Sequence, residues 1–483
     1  MLAYSLEFID MGQLSDRDNR HNRLVQLDLC GAAGLAPFYL ALTRAVDVAL
    51  DHPNVDPDRV AVAGLSGGGW QSILLSALDT RITLANPVAG YCSLHERIQG
   101  DNNIGDAEQI PSDMCAVADY THLTAMVAPR PLLLTYNAQD ECCFVPDQIL
   151  PRLERIGRAA YQLCEVPEHF AIHINHDPGT HNFDQDNREA FYRQIHEHLI
   201  PEASLEPVEM PVDDSEILSE DALAVPMPEK NLTLHQLALK LSESLPDAGE
   251  QSPQNRRDRL AEVVRHQSYD IQDELIEESQ TDDAVIRRVL LRLGTDWTLP
   301  AVEFRPGDFK GTTVLISDWG KQSLTAEIDA LLAAKQRVVA VDLLGFGEAD
   351  AGPDPGGNDD VMLVLLATVG ERPLGIQSGQ LAAVFDWANA SAQKRPADVV
   401  AVGPRCSTIA LVAAAIHPEA IGTLTTHRAR ASLRELIEEN LAVDDAPEQF
   451  CFGLLKEFDI PQLHDLIGAD RVVVGSQTQS TKF

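Results

Sequence analysis

This sequence predicts an α/β fold, a doubly wound and mostly parallel sheet present in two copies along 483 residues. Three observations carry that reading. Short apolar runs alternate with helical stretches through residues 1–200. One run, Val60-Ala61-Val62-Ala63, leads into Gly64-Leu65-Ser66-Gly67-Gly68 and then into a helix-like stretch, Gly69–Leu78. A second alternating pattern begins near residue 285, behind an acidic segment punctuated by prolines.

In the first segment the expected strands are Tyr4–Asp10, Val60–Leu65, Ile82–Val88, Pro131–Tyr136 and Phe170–Asn175. Helices are expected near Pro37–Asp51, Gly69–Leu78, Asp147–Ala159 and Asn187–Leu199. Residues 201–229 hold prolines 201, 207, 211, 226 and 228 and no Lys or Arg, and read as a solvated linker. Residues 230–284 read as a charged helical region. Residues 285–483 repeat the α/β pattern, with strands at Ala301–Phe304, Thr312–Ser317, Arg337–Asp342, Asp398–Gly403 and Arg471–Val474. Helical runs at Leu324–Ala334, Gly379–Ala390 and Thr408–His417 separate them. Laid over the first segment, Val338–Asp342 matches Ser5–Asp10 and Val399–Gly403 matches Val60–Gly64, which puts Arg405 where the first copy has Ser66.

The hydrophobic content of 45% is ample for two globular cores, and no apolar run approaches the ~20 residues of a membrane span. A net charge of −37 excludes a general nucleic-acid binder, which neutralises phosphates with clustered Lys and Arg. Eight cysteines without a CxxC pair make neither a disulfide framework nor a zinc ribbon, although Cys142 and Cys143 are adjacent. Met1-Leu2-Ala3-Tyr4 does not read as a signal peptide. The compartment stays open: secreted or periplasmic if a leader lies upstream, cytoplasmic otherwise.

Ser66 is the candidate nucleophile. A serine on a strand–turn–helix corner is lifted above the sheet edge, and flanking glycines relieve the tight turn and the close strand–helix contact. Such a serine needs a base to take its proton and an acid to orient that base. Asp140 follows the strand ending at Tyr136, and His181 sits on the loop Asp177-Pro178-Gly179-Thr180-His181 after the next strand. The order serine, acid, histidine along a parallel sheet fits acyl transfer, with the Gly67 N–H as oxyanion donor. Glu141 is an alternative acid. His173, His176 and His181 with Asp177 are the weighed alternative as metal ligands, but strand-to-loop spacing argues against them, and no metal ligands are assigned. Trp70, Tyr91 and Tyr120 read as core aromatics in preference to pocket walls, and Ser72 and Ser76 as residues of the helix. The interval from Ser66 to Asp140 leaves no room for a large lid, so an open site is expected.

These residues resemble the α/β-hydrolase superfamily, and within it the branch of acetyl xylan esterases and dienelactone hydrolases. The resemblance lies in Asp58–Gly69, Leu78-Asp79-Thr80-Arg81-Ile82, Ala128-Pro129-Arg130-Pro131 ahead of Asp140, and Pro178-Gly179-Thr180-His181-Asn182. It covers about residues 3–200, and the second half resembles a degenerate hydrolase domain. The resemblance implies a serine esterase acting on short acyl esters, such as acetyl groups on a plant polysaccharide, without metal or organic cofactor. Tyr4–Asp10 then stands for the fourth strand of the family sheet. The strands before it, and the His-Gly loop that supplies a second oxyanion N–H, are missing. Either the chain is a truncated version of a longer protein, the reading adopted, or the second domain covers the open edge; an open edge would favour association or instability. The rivals are a prolyl-oligopeptidase-like peptidase and a non-catalytic remnant. The second copy is expected to lack activity, with Cys406 a buried apolar residue and Asp342–Gly347 a strand-end loop rather than a nucleotide site.

Overall fold

The computed structural model describes residues 2–99, 106–204, 208–245, 251–350, 361–390 and 396–475. The chain forms two compact units. Unit 1 comprises Met1–His21 and Leu35–Leu234, and unit 2 comprises Asn22–Gly34 and His235–Phe483. This departs from the expected boundaries in two ways: Asn22–Gly34 goes with the second unit, and the first runs past residue 200 to Leu234. Within the acidic segment, residues 205–207 lie outside the described residues, and the rest holds two short helical turns, Asp214–Glu216 and Glu220–Leu223.

Unit 1 is built on four parallel strands in the order β1 (Ala61–Leu65), β2 (Leu84–Val88), β3 (Leu132–Asn137) and β4 (Phe170–Asn175). Its main helices are α1 (Ala36–Leu50), α2 (Gly67–Leu78), α3 (Tyr120–Val127), α4 (Pro146–Leu163) and α5 (Gln185–His198). Consecutive strands are spatial neighbours and parallel crossovers are right-handed, so α2, α3 and α4 share one face. Helix α5 returns across β4, β3 and β2 and takes the other. Helix α1 has Pro37 in its first turn, where its fixed φ is suited, and buries Phe38, Leu42 and Val46 at a spacing of four. Leu42 and Val46 pack against Leu75 and Ile82.

Tyr4–Asp10 is not a strand; it is irregular chain ending in a turn at Asp10, whose φ is 70°. The alternation of Tyr4, Leu6 and Phe8 suggested a pleat, but Tyr4 and Leu6 are exposed. Only Phe8 packs, its ring 4.9 Å from His21, 5.3 Å from Phe38 and 6.0 Å from Trp70 between centroids. Among the described residues β1 therefore pairs with β2 alone. Its burial shows this: β2 and β3 are buried throughout, while β1 is half-buried and Ala61 is exposed.

Two of the segments that carry the family resemblance meet at the foot of α2. The Arg130 guanidinium donates to the carbonyls of Ser76 (2.7 Å), Asp79 (3.1 Å) and Ile82 (2.8 Å). Tyr161 in turn donates to the Arg130 carbonyl at 2.5 Å. One side chain thus ties the last turn of α2, where carbonyls lack helix partners, to the chain that leads into β2.

Among the described residues unit 2 carries eight strands: β5 (Ile271–Gln280), β6 (Val285–Leu293), β7 (Trp297–Arg305), β8 (Gly311–Ser317), β9 (Gln336–Val341), β10 (Ala397–Val402), β11 (Ile421–His427) and β12 (Val472–Val474). Their order is β12-β11-β10-β8-β9-β7-β6-β5. Strands β5, β6 and β7 form an antiparallel meander, β7 is antiparallel to β9, and the remaining pairs are parallel. The three expected helices are α6 (Thr325–Ala333), α7 (Pro373–Ala390) and α8 (Pro404–Ile416). The expected helical region 230–284 needs correcting: helices Leu234–Glu243 and Pro253–Val264 give way to β5. Strand β5 is misread because it is an edge strand exposed along nearly its whole length. Its acidic side chains pair across to arginines of β6, Glu277 with Arg288 (2.8 Å) and Glu274 with Arg292 (2.6 Å), so the charge that mimics a solvated helix protects a sheet edge.

Replacing Arg130 with alanine removes its hydrogen bonds to three carbonyls. We expect unit 1 to lose about 2 kcal/mol, read as a lower denaturant midpoint at unchanged slope.

Candidate active site

Ser66 is the first residue after β1 and the N-cap of α2, with φ 56° and ψ −119°. A non-glycine residue pays for that region of backbone space, and the surroundings show what holds it there. The Ser66 N–H donates to the Val88 carbonyl at the end of β2 (2.9 Å), and the Ser66 carbonyl accepts from Trp70 N–H (2.9 Å). Contact around the corner is backbone on backbone. A side chain on Gly64 would start 2.6 Å from the Gly68 carbonyl group, and one on Gly90 would start 2.5 Å from the Ser66 oxygen. Gly67 and Gly68 occupy the first turn of α2, where N–H groups have no partner within the helix and face an incoming anion.

Asp140 and His181 come together. Asp140 lies just past β3 with its side chain fully buried, and its Oδ2 is 2.8 Å from His181 Nδ1. Its other oxygen accepts from the backbone N–H groups of Cys142 (3.0 Å), Cys143 (3.0 Å) and Phe144 (3.3 Å). Burial pushes the Asp140 carboxyl up. The His181 hydrogen bond and these backbone donors more than offset it, and the group sits below its ordinary value. Cys142 and Cys143, noted in the sequence only as neighbours, are joined as a disulfide. Phe144 stacks 6.5 Å from the His181 ring. Glu141 takes a different part: its carboxylate accepts the His181 backbone N–H at 2.9 Å and holds the loop instead of the imidazole. Among the described residues no hydrogen bond joins the Ser66 hydroxyl to His181.

The loops bearing acid and base are tied by four buried asparagines that sequence reading missed. Asn187 Nδ2 donates to Asn137 Oδ1 and to the Asn182 carbonyl, both at 2.9 Å. Asn137 donates to the same carbonyl (3.2 Å), and Asn175 to the Asn182 side chain (3.3 Å). Backbone bonds Ala138 N–H to Asn175 O and Gln139 N–H to Gly179 O, each 2.8 Å, complete the lacing. Position alone could have hinted at them: Asn137 and Asn175 end their strands, and Asn182 follows His181.

Trp70, Tyr91 and Tyr120 are buried, as expected of core aromatics. Trp70 Nε1 donates to the Tyr120 hydroxyl (2.7 Å), which donates to the Gln109 carbonyl (2.5 Å). His173 is paired with Asp186 at 2.7 Å. His173, His176, His181 and Asp177 do not assemble as a ligand set. Among the described residues the grouping of three ligating side chains is His21, Asp106 and Glu108, which lie too far apart in the sequence to have been connected.

Unit 2 corrects the alignment of its own corner. Gly403, not Arg405, follows β10 and caps α8. It repeats the bonds of Ser66: Gly403 N–H donates to the carbonyl of His427 at the end of β11, and its carbonyl accepts from Ser407 N–H. The alignment slipped because it matched glycine to glycine. The first-turn N–H groups are already occupied, since the Asp318 carboxylate accepts from Arg405 (3.1 Å) and Cys406 (2.6 Å). Burial pushes Asp318 up to about 6. Arg405 is held by Glu448 through two bonds of 2.8 Å, and Cys406 is buried with its thiol pushed up by that burial.

Gly90→Ala drives a carbon into the backbone of the corner and should cost about 1–3 kcal/mol in thermal or denaturant unfolding. Gly68→Ala meets nothing within 4 Å and should be neutral or gain roughly 0.5–1 kcal/mol from helix propensity. Asp140 has a depressed folded-state value, so its stabilisation is full above the unfolded value of about 3.9 and is lost as pH falls through the lower folded value. The wild-type melting temperature should therefore fall more steeply than that of Asp140→Asn below about pH 4.

A parallel sheet with a corner serine, and later loops carrying a carboxylate and an imidazole past the same strand ends, makes unit 1 an α/β fold of the hydrolase type. Residues 36–109 match the family described as acetyl xylan esterase (AXE1); the match includes Ser66 and stops short of Asp140 and His181. Comparison with curated protein sequences finds no match. Among solved structures, a Bacteroides fragilis protein provisionally described as an acetyl xylan esterase is similar at TM-score 0.44 and 12% identity, over 51% of this chain and 76% of that one. Acetyl xylan esterase 1 from Thermoanaerobacterium sp. is similar at TM-score 0.31 and 15% identity, over 53% and 93%. A carbohydrate esterase family 15 glucuronoyl esterase from Caldicellulosiruptor kristjansonii is similar at TM-score 0.28 and 17% identity, over 39% of this chain and 57% of that one. No residue role in this chain rests on these three likenesses; the resemblance to the acetyl xylan esterases rests on residues 36–109.

Proposed function

We propose that unit 1 is a serine hydrolase of carboxylic esters, with Ser66 as nucleophile, His181 as base and Asp140 as the residue that orients it. The observation that carries this reading is the His181–Asp140 bond of 2.8 Å, on loops past the same strand ends as a serine in a strained corner. Ser66 Oγ attacks the ester carbonyl and its proton passes to His181 Nε2. The Asp140 carboxylate holds the Nδ1–H and balances the imidazolium that forms. The tetrahedral oxyanion accepts from the Gly67 N–H, a donor that is in place before charge develops. The alcohol leaves with the proton from His181. Water, deprotonated by the same nitrogen, then attacks the acyl-enzyme and releases the acid. Ser66 and His181 come within hydrogen-bond reach in the substrate complex, as catalytic pairs do when they are loose in the free enzyme. No metal enters these steps.

The match of residues 36–109 to the acetyl xylan esterase family supports a short acyl group, acetyl above all, on a carbohydrate alcohol. Unit 2, whose corner residue is Gly403, is a degenerate copy of the same fold and takes no part in the chemistry.

Hydrolysis of p-nitrophenyl acetate and of acetylated xylan tests this. Ser66→Ala should fall to background, and Asp140→Asn should lose on the order of 10³–10⁴ in turnover. Equal rates for wild type and Ser66→Ala would sink the reading. Faster cleavage of an Ala-Pro anilide than of either ester would replace it with a peptidase.

A further inference from the structure

We propose that His21, Asp106 and Glu108 form a binding site for a first-row divalent metal ion of the Zn²⁺ or Mn²⁺ class. His21 Nδ1 lies 3.1 Å from Glu108 Oε2 and 3.9 Å from Asp106 Oδ2, and the three ligating atoms all fall within 4.8 Å of one another. An ion about 2.1 Å from each of three ligands requires ligand–ligand separations of roughly 3–4 Å. The imidazole is already committed to the right face. Its Nε2 bonds the Ile9 carbonyl at 2.8 Å; an oxygen there can only accept, so a proton is held on Nε2 and Nδ1 is the nitrogen turned to the carboxylates. This is the outer bond that metal-ligating histidines use to fix their tautomer.

The second observation is Glu108 itself. Its side chain is wholly buried, and Oε2 has no hydrogen-bond partner. The oxygen lies 3.1 Å from Nδ1, an ion-pair distance, but off the line of a hydrogen bond, so the place between the imidazole and the buried carboxylate is one where a metal cation can replace the Nδ1 proton. A cation between them satisfies both. Asp106 is exposed, which leaves the remaining coordination positions to water. One imidazole nitrogen with two carboxylates favours a transition-metal ion over Ca²⁺ or Mg²⁺, which take oxygen ligands.

The ion would pin the irregular N-terminal segment to the chain between β2 and α3. Phe8, adjacent to Ile9, lies against His21, and its ring edge is 4.0 Å from where a side chain on Gly67 would begin. The site would thereby order one wall beside the Ser66 corner without touching the reacting atoms. The proposal stands whether or not Ser66 hydrolyses esters.

The test uses the full chain, stripped with chelator and titrated with Zn²⁺, Mn²⁺ and, for its visible spectrum, Co²⁺. We expect one high-affinity equivalent per chain, a rise of several degrees in melting temperature and Co²⁺ bands from nitrogen–oxygen coordination. His21→Gln and Glu108→Gln should weaken binding at least about 100-fold, since even loss of an outer-shell partner costs 10–100-fold. Should either variant fail to fold, Asp106→Asn alters an exposed side chain and should still lower affinity and change the Co²⁺ spectrum. No saturable binding would overturn the proposal and leave a protonated imidazole between two carboxylates. So would binding that Asp106→Asn and His21→Gln leave unchanged.

Discussion

The backbone turn at Ser66 is the constraint on which unit 1 depends. A strand has to end, reverse direction and become a helix within one residue, and steric crowding leaves room for that only where side chains are absent. Gly64, Gly69 and Gly90 sit where added carbons would strike main-chain atoms. The end of β2 then locks the corner through the Val88 carbonyl. Everything that bears on chemistry in this unit is placed relative to that corner: the first turn of α2, the neighbouring strand ends, and the loops that follow them.

A corner with the same two backbone bonds, formed by glycine where unit 1 has serine, appears in unit 2. There a carboxylate, Asp318, fills the first turn of α8. A helix terminus with free N–H groups attracts negative charge wherever it comes from, and here the chain supplies its own. Burial raises the cost of keeping that carboxylate ionised, which the two backbone donors partly repay. Retaining the geometry of a corner therefore does not preserve its chemistry, which turns on what the first-turn N–H groups are left to bind.

Local backbone demands were legible in the sequence, and long-range contacts were not. Ser66 could be read because strand, glycines and helix are contiguous; Asp140 and His181 because each follows its strand end by a few residues. The asparagine lacing around them joins four residues from three different elements, and no window of sequence shows that. His21 and Glu108 are worse placed still, separated by the whole of α1, β1, α2 and β2. Two errors have simple causes. Tyr4–Asp10 has the alternation of a strand but no neighbour to pair with, and β5 carries charge on an edge that a helix would also expose.

The asparagine lacing has a mechanical consequence. Asn137, Asn175, Asn182 and Asn187 join the carboxylate loop and the imidazole loop into one rigid body, while the serine rides on a different one, the junction of β1 and α2. Among the described residues, β1 is paired along one edge alone, with β2. The carboxylate loop and the imidazole loop are thus fixed to each other independently of the serine.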